Sequence, residues 1–243
     1  VLMSKPRFTF FLLIAIFVIT SFSSYPIPQY SLSVSTGSIY TPIVGGNPFV
    51  WRISSSPNDE DYTAPTPIGF PFFYNGSLVT DIQVSVNGFL KFSNPSVGDT
   101  LLSAVFANNL RSFTRNVLAP LWDDIAVNNS STDILWQMVG PFGSRVFTVE
   151  WTNVKWNYTA TTNYNFKVVL YEGSNNIEFH YGPQSGTLVS PSATIGLNDN
   201  TQIATNSTAF TEATGTYLSL SMGGSPGARV YHQSMGIEYS GLT

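Results

Sequence analysis

Cysteine is missing altogether from the 243 residues. That removes disulfide scaffolds, thiolate zinc sites and cysteine nucleophiles, so stability must come from a packed core. Charge is scarce as well. Asp, Glu, Lys and Arg make up 10% of the chain and leave a formal net charge of −4, where an average soluble domain carries about 25% charged residues. The ten cations are scattered from Lys5 to Arg229 and form no basic stripe, which excludes nucleic acid as a partner. The only two histidines, His180 and His232, are too few and too far apart for a histidine-rich metal centre. They read as a surface strand residue and a tail residue. Helical periodicity is scarce too: its nearest approach, Leu101–Phe113, contains Asn108-Asn109, has neither cap nor glycine stop, and reads as loop with at most a turn of helix.

What is present is apolar and aromatic, at 43% hydrophobic and 14% aromatic residues, which is too much for intrinsic disorder. Lys5 and Arg7 precede an apolar run from Phe8 that passes into small residues at Ser21 and Ser23. Basic, apolar, then small is the order of a secretory signal peptide. Even stretched to Phe22 the run has 15 residues, short of the roughly 20 that a membrane anchor needs. Residues 1–23 are therefore expected to be a signal peptide that meets the membrane only transiently. The mature chain, from about Ser24, is expected to be secreted or held at the cell surface.

Beyond the signal, short runs rich in Val, Ile, Phe, Tyr, Trp and Thr recur between Gly, Pro, Asn and Ser clusters, the pattern of an all-β, antiparallel β-sandwich. Strands are expected at Ile39–Val44, Ile68–Tyr74, Val79–Val86, Leu90–Ser93, Asn116–Trp122, Ile134–Val139, Arg145–Thr152, Tyr164–Tyr171, Ile177–Tyr181, Ala193–Asn198 and Tyr217–Ser221. With no repeat or linker in view, 24–243 reads as a single domain: an N-terminal segment with edge strands, 24–67, and the sandwich proper, 68–243. Alternation assigns faces. In Arg145–Thr152, Phe147, Val149 and Trp151 point to the core, while Thr148 and Glu150 point to solvent. A two-residue Gly173-Ser174 loop sets Leu170 opposite Ile177, Val168 opposite Phe179 and Phe166 opposite Tyr181. A one-residue slip would bury Lys167 and Glu178 instead. At Asn87-Gly88 a three-residue loop, with Gly88 left-handed, pairs Val86 with Leu90 and Val84 with Phe92.

Seven blocks then carry a resemblance. They are Ile68–Gly76 (IGFPFFYNG), Val84–Phe92 (VSVNGFLKF), Val117–Asp124 (VLAPLWDD), Phe147–Val154 (FTVEWTNV), Asn165–Tyr171 (NFKVVLY), Ile177–Gly182 (IEFHYG) and Ala193–Leu197 (ATIGL). In this order they resemble the nidogen-like (NIDO) extracellular domain, and the absence of cysteine points to its bacterial secreted branch. The resemblance implies an extracellular β-sandwich without enzymatic activity, engaged in cell–matrix adhesion. Its partner would be an extracellular protein or glycan.

Candidate chemistry is sparse. Asp123-Asp124 fail as a glycosidase pair, because neighbouring strand residues face opposite ways whereas the two carboxyls must flank one sugar. Asp59 and Asp61 in one loop, with Asp123 and Asp124 in another, could together supply oxygens to a structural Ca²⁺. No fixed-spacing calcium motif is present, and an Asp-Asp pair at a strand end also serves as a turn former bonding its own backbone. Trp156 and Tyr158, in a less regular stretch, form the candidate aromatic platform for a ligand such as a sugar. The competing reading is that large aromatics in a sandwich are core. A carbohydrate-binding module is thus the alternative function, and a secreted hydrolase, lacking any G-x-S-x-G elbow, a distant one.

Overall fold

The computed structural model describes residues 30–35, 39–52, 59–74, 77–93, 116–128, 133–156, 163–186, 193–198, 217–222, 229–233 and 236–240. Residues 1–23 and Leu101–Phe113 lie outside them. The strands are β1 (Tyr30–Ser35), β2 (Asn47–Pro48), β3 (Thr66–Tyr74), β4 (Ser77–Ser85), β5 (Phe89–Ser93), β6 (Val117–Trp122), β7 (Ile125–Ala126) and β8 (Ile134–Val139). They continue with β9 (Val146–Trp156), β10 (Tyr164–Tyr171), β11 (Ile177–Tyr181), β12 (Thr194–Asn198), β13 (Tyr217–Met222), β14 (Arg229–Gln233) and β15 (Gly236–Ser240). Two antiparallel sheets pack face to face, so the fold is the all-β sandwich expected. The larger, of eight strands, runs β1-β13-β11-β10-β9-β8-β2 with β7 joined to β9, and the smaller, of seven, runs β15-β14-β12-β6-β5-β4-β3.

Alternation builds the core. In the larger sheet three inward rows cross the strands in register: Ile134, Trp151, Phe166 and Tyr181; Trp136, Val149, Val168 and Phe179; Met138, Phe147, Leu170 and Ile177. Phe147, Val149, Trp151, Phe166, Val168, Leu170, Ile177 and Phe179 are all buried in one cluster with Ile68, Phe70, Phe72, Ile82, Val84, Leu90 and Phe92 of the facing sheet. Trp151 stacks on Phe166 at 5.0 Å and donates its indole N–H to the Ser85 carbonyl across the interface at 3.1 Å. The open edge at β3 is blunted by the exposed Pro67 and Pro71 and by a bulge around Gly69, devices that stop edge-to-edge pairing. Beside it, Arg145 forks onto Glu172, donates to the Gly69 carbonyl at 2.7 Å and lies over Phe70 and Phe142, closing one end of the sandwich.

Both hairpins correct their expected loops. The β10–β11 register is as read, but the loop spans 172–175: the Asn175 N–H returns to the Tyr171 carbonyl at 3.0 Å and Tyr171 N–H bonds Asn176. Glu172 is drawn out of the ladder because its own N–H and its carboxylate are both committed to Arg145. At Asn87-Gly88 the three-residue loop is Val86-Asn87-Gly88, so Ser85 faces Phe89 and Val84 faces Leu90, two residues away from the pairing expected. The parity, and with it the buried face, is unchanged. Gly88 is left-handed at φ 74, and a Cβ there would stand 2.0 Å from the Leu121 carbonyl oxygen.

Two further expectations are overturned together. Ile39–Val44 forms no strand; it is a strap on the outer face of the larger sheet, leading into β2. Glu150, expected in solvent, is 2% exposed beneath that strap. Its carboxylate accepts the Tyr40 hydroxyl and the Ile43 N–H, each at 2.6 Å. Lys167 donates to the Thr41 carbonyl at 2.6 Å and sits 4.8 Å from the centre of the Tyr40 ring. A buried carboxylate needs such partners, and the strap supplies them.

Candidate functional site

The loops expected to share oxygen ligands do meet, and a turn between them is the reason. The Asn87 carboxamide donates to Glu60 Oε2 at 3.0 Å and accepts the Ile125 N–H at 3.0 Å, while its main-chain N–H bonds Ser85 Oγ. One side chain thereby ties the loop before β3 to the turn after β6. Val86 N–H to the Asp61 carbonyl, at 3.0 Å, fixes the same loop from its backbone. The result is a group of three carboxylates, Asp59, Glu60 and Asp124, whose ligand oxygens lie within 4.8 Å of one another.

Mutual repulsion marks this group. The Glu60 carboxyl is pushed up to about 7, first by burial and next by Asp59, with Asp124 adding to it and the Asn87 hydrogen bond pulling the other way. Asp124 is raised by burial, then by Asp59 and Asp123. Such a cluster gains from a proton or from a hard cation, which oxygen donors of this kind suit.

The sequence model of a family described as NIDO related matches residues 29–227. This chain belongs to the NIDO-related family. No curated protein and no solved structure matches it. NIDO-like domains are typically extracellular and generally non-enzymatic, and no helix among the described residues is long and apolar enough to cross a membrane.

In this NIDO-related chain the Val84–Phe92 and Val117–Asp124 blocks are the ones the Asn87 clamp brings together. Of the candidate metal ligands, Asp59 and Asp124 share the cluster. Asp61 and Asp123 are buried outside it, each accepting the N–H of the next residue through its own carboxylate, from Tyr62 at 2.7 Å and Asp124 at 2.8 Å. That is the turn-forming role weighed for Asp-Asp. Glu60 is not among the expected ligands, although it stands between Asp59 and Asp61 in the same acidic loop. Trp156 ends β9, paired with Ile125, so its stretch is regular strand. Tyr158 lies outside the described residues.

Proposed function

We propose that the chain is a secreted or cell-surface adhesion module, without catalytic activity, that binds an extracellular protein or glycan. Membership of the NIDO-related family over residues 29–227 is the observation that carries this reading. Exposed apolar side chains support it. Phe73 and Leu78 lie opposite each other on the β3–β4 hairpin, Val139 ends β8 and Phe142 lies in the β8–β9 turn; Asn175 reaches across to Phe73 N–H at 2.7 Å. Exposed apolar groups gathered in this way favour interaction surfaces. A structural Ca²⁺ at Asp59, Glu60 and Asp124 is the cofactor part of the same reading, favoured by the convergence of three repelling carboxylates.

The test is binding of the purified chain to an array of matrix proteins and glycans, with a Leu78→Ser, Phe142→Ser variant in parallel. Binding to a protein that the variant loses supports adhesion through this end. A defined sugar ligand held equally by the variant would favour the carbohydrate-binding alternative, and turnover of chromogenic glycosides or esters would overturn the non-catalytic reading.

A further inference from the structure

The 39–44 strap is held in an unusual way. Its apolar side chains do little of the holding, since Ile39 and Val44 are 90% and 84% exposed. Side chains of the sheet grip its backbone instead: Glu150 takes the Ile43 N–H, Lys167 gives to the Thr41 carbonyl, and Gln137 Nε2 gives to the Val44 carbonyl at 3.0 Å. One strap side chain is read directly. The Tyr40 hydroxyl bonds Glu150, its ring lies beside Lys167, and the ring passes so close to Gly182 that a Cβ there would stand 2.9 Å from it. Three adjacent strands, β8, β9 and β10, thus present donor, acceptor and donor to an extended backbone, with a flat seat for one tyrosine. That is the chemistry of a peptide-binding face.

We propose that the outer face of the larger sheet is a binding site for an extended, tyrosine-bearing segment, filled in cis by the strap and open in trans to the strap of a second copy of this chain. Three observations select that occupant. The contacts are to backbone and to Tyr40, so any copy's strap satisfies them identically. The strap itself carries no fully buried apolar side chain, the first being Phe49 just beyond β2, so residues 39–48 belong with the segments that open locally about a hinge at that point. It also ends in β2, whose pairing with the β8 edge is only Asn47 with Trp136 and Pro48 with Leu135, so departure of the strap uncovers a sheet edge that rewards re-pairing. Reciprocal exchange gives a closed dimer with the contacts of the monomer. Exchange of the strap needs no foreign partner, and the residues that grip it, Gln137, Glu150 and Lys167, are not the exposed Phe73, Leu78 and Phe142 of the adhesion reading.

The experiment uses the full chain carrying Tyr40→Ala, which weakens its own strap and leaves the receiving face intact, and a fluorescent peptide of residues 39–48. Circular dichroism first establishes that each variant keeps the wild-type strand signal. Saturable binding of the peptide is expected, weakened at least tenfold when Glu150→Gln is added to the chain or when the peptide's tyrosine is replaced by phenylalanine. In a second arm, the Tyr40→Ala and Glu150→Gln chains are mixed and weighed by native mass spectrometry, where a heterodimer joining the intact strap of one to the intact face of the other is expected. Absence of saturable binding, equal binding of a scrambled peptide, or binding indifferent to Glu150 would overturn the proposal. Peptide binding without any heterodimer would overturn its second-copy part.

Discussion

Trp151→Ala tests the join between the sheets most directly. The indole is fully buried, stacked at 5.0 Å on Phe166, and bonded at 3.1 Å to the Ser85 carbonyl on the opposite sheet. Truncation removes the whole ring from a packed interior and leaves a cavity that rigid strands on both sides cannot close, so the loss should be about 3–5 kcal/mol. Against a total stability of about 5–15 kcal/mol this is a large fraction. For a domain of this size it corresponds to a fall in Tm of roughly 6–20 °C, at about 2–4 °C per kcal/mol. Trp151→Phe separates the two contributions. It keeps most of the ring and loses the N–H donor, so it should cost about 1–2 kcal/mol, mainly the net value of one buried hydrogen bond with a small packing term. Urea unfolding followed by far-ultraviolet circular dichroism measures both without relying on the fluorescence being deleted. A near-neutral Trp151→Ala would refute the face assignment, and a phenylalanine variant as costly as the alanine one would refute the claim that ring burial dominates.

Glu60→Gln keeps an acceptor for Asn87 but removes a carboxyl held at about 7 when folded, above its ordinary value of 4.5. Because the folded value is the higher, the wild type keeps its full stability below pH 4.5, where the carboxyl is neutral like the amide, and loses part of it as pH rises through 7. In chelator at pH 8, Glu60→Gln should therefore be more stable by about 1 kcal/mol, after allowing for solvent screening. Millimolar calcium should reverse this order if the cluster binds it; thermal melts indifferent to calcium would leave the turn-forming role alone. Gly88→Ala should cost about 2–4 kcal/mol, combining a left-handed backbone with a clash on the Leu121 carbonyl, whereas Gly143→Ala, at φ 87 with open space around it, should cost only about 1–2 kcal/mol; equal losses would show that the clash relaxes. Glu172, held down at about 2 chiefly by its hydrogen bonds with Arg145, stabilises the fold above its ordinary 4.5 and stops doing so as pH falls to 2. Unfolding measured across that window should show a slope that Glu172→Gln flattens.

Local pattern was enough for much of the fold. Ile134–Val139, Tyr164–Tyr171 and Ile177–Tyr181 appear with the expected bounds, and in the last two alternation also picks out the inward row, Phe166, Val168 and Leu170 against Ile177, Phe179 and Tyr181. Misreadings arose where the deciding contact is distant in sequence. Glu150 alternates like a solvent residue, and only a tyrosine 110 positions earlier makes it interior. Asn87-Gly88 announces a turn, yet nothing local says that its carboxamide will hold Glu60 and Ile125 at once. Edge strands were expected within 24–67 but not with the bounds of β1 and β2; β7, β14 and β15 were not anticipated, and β9 runs four residues past its expected end to Trp156, where pairing with β7 sustains it.

The strap also orders events in time. Strands β8 to β11 form a meander of neighbouring hairpins, whose short loops close quickly. The stretch from β1 through the strap to β2 borders both margins of that same sheet, pairing with β13 on one side and β8 on the other. Its partners are made long after it. A ribosome therefore emits these residues well before anything exists for them to join, and the earliest described part of the chain must be among the last to acquire its place.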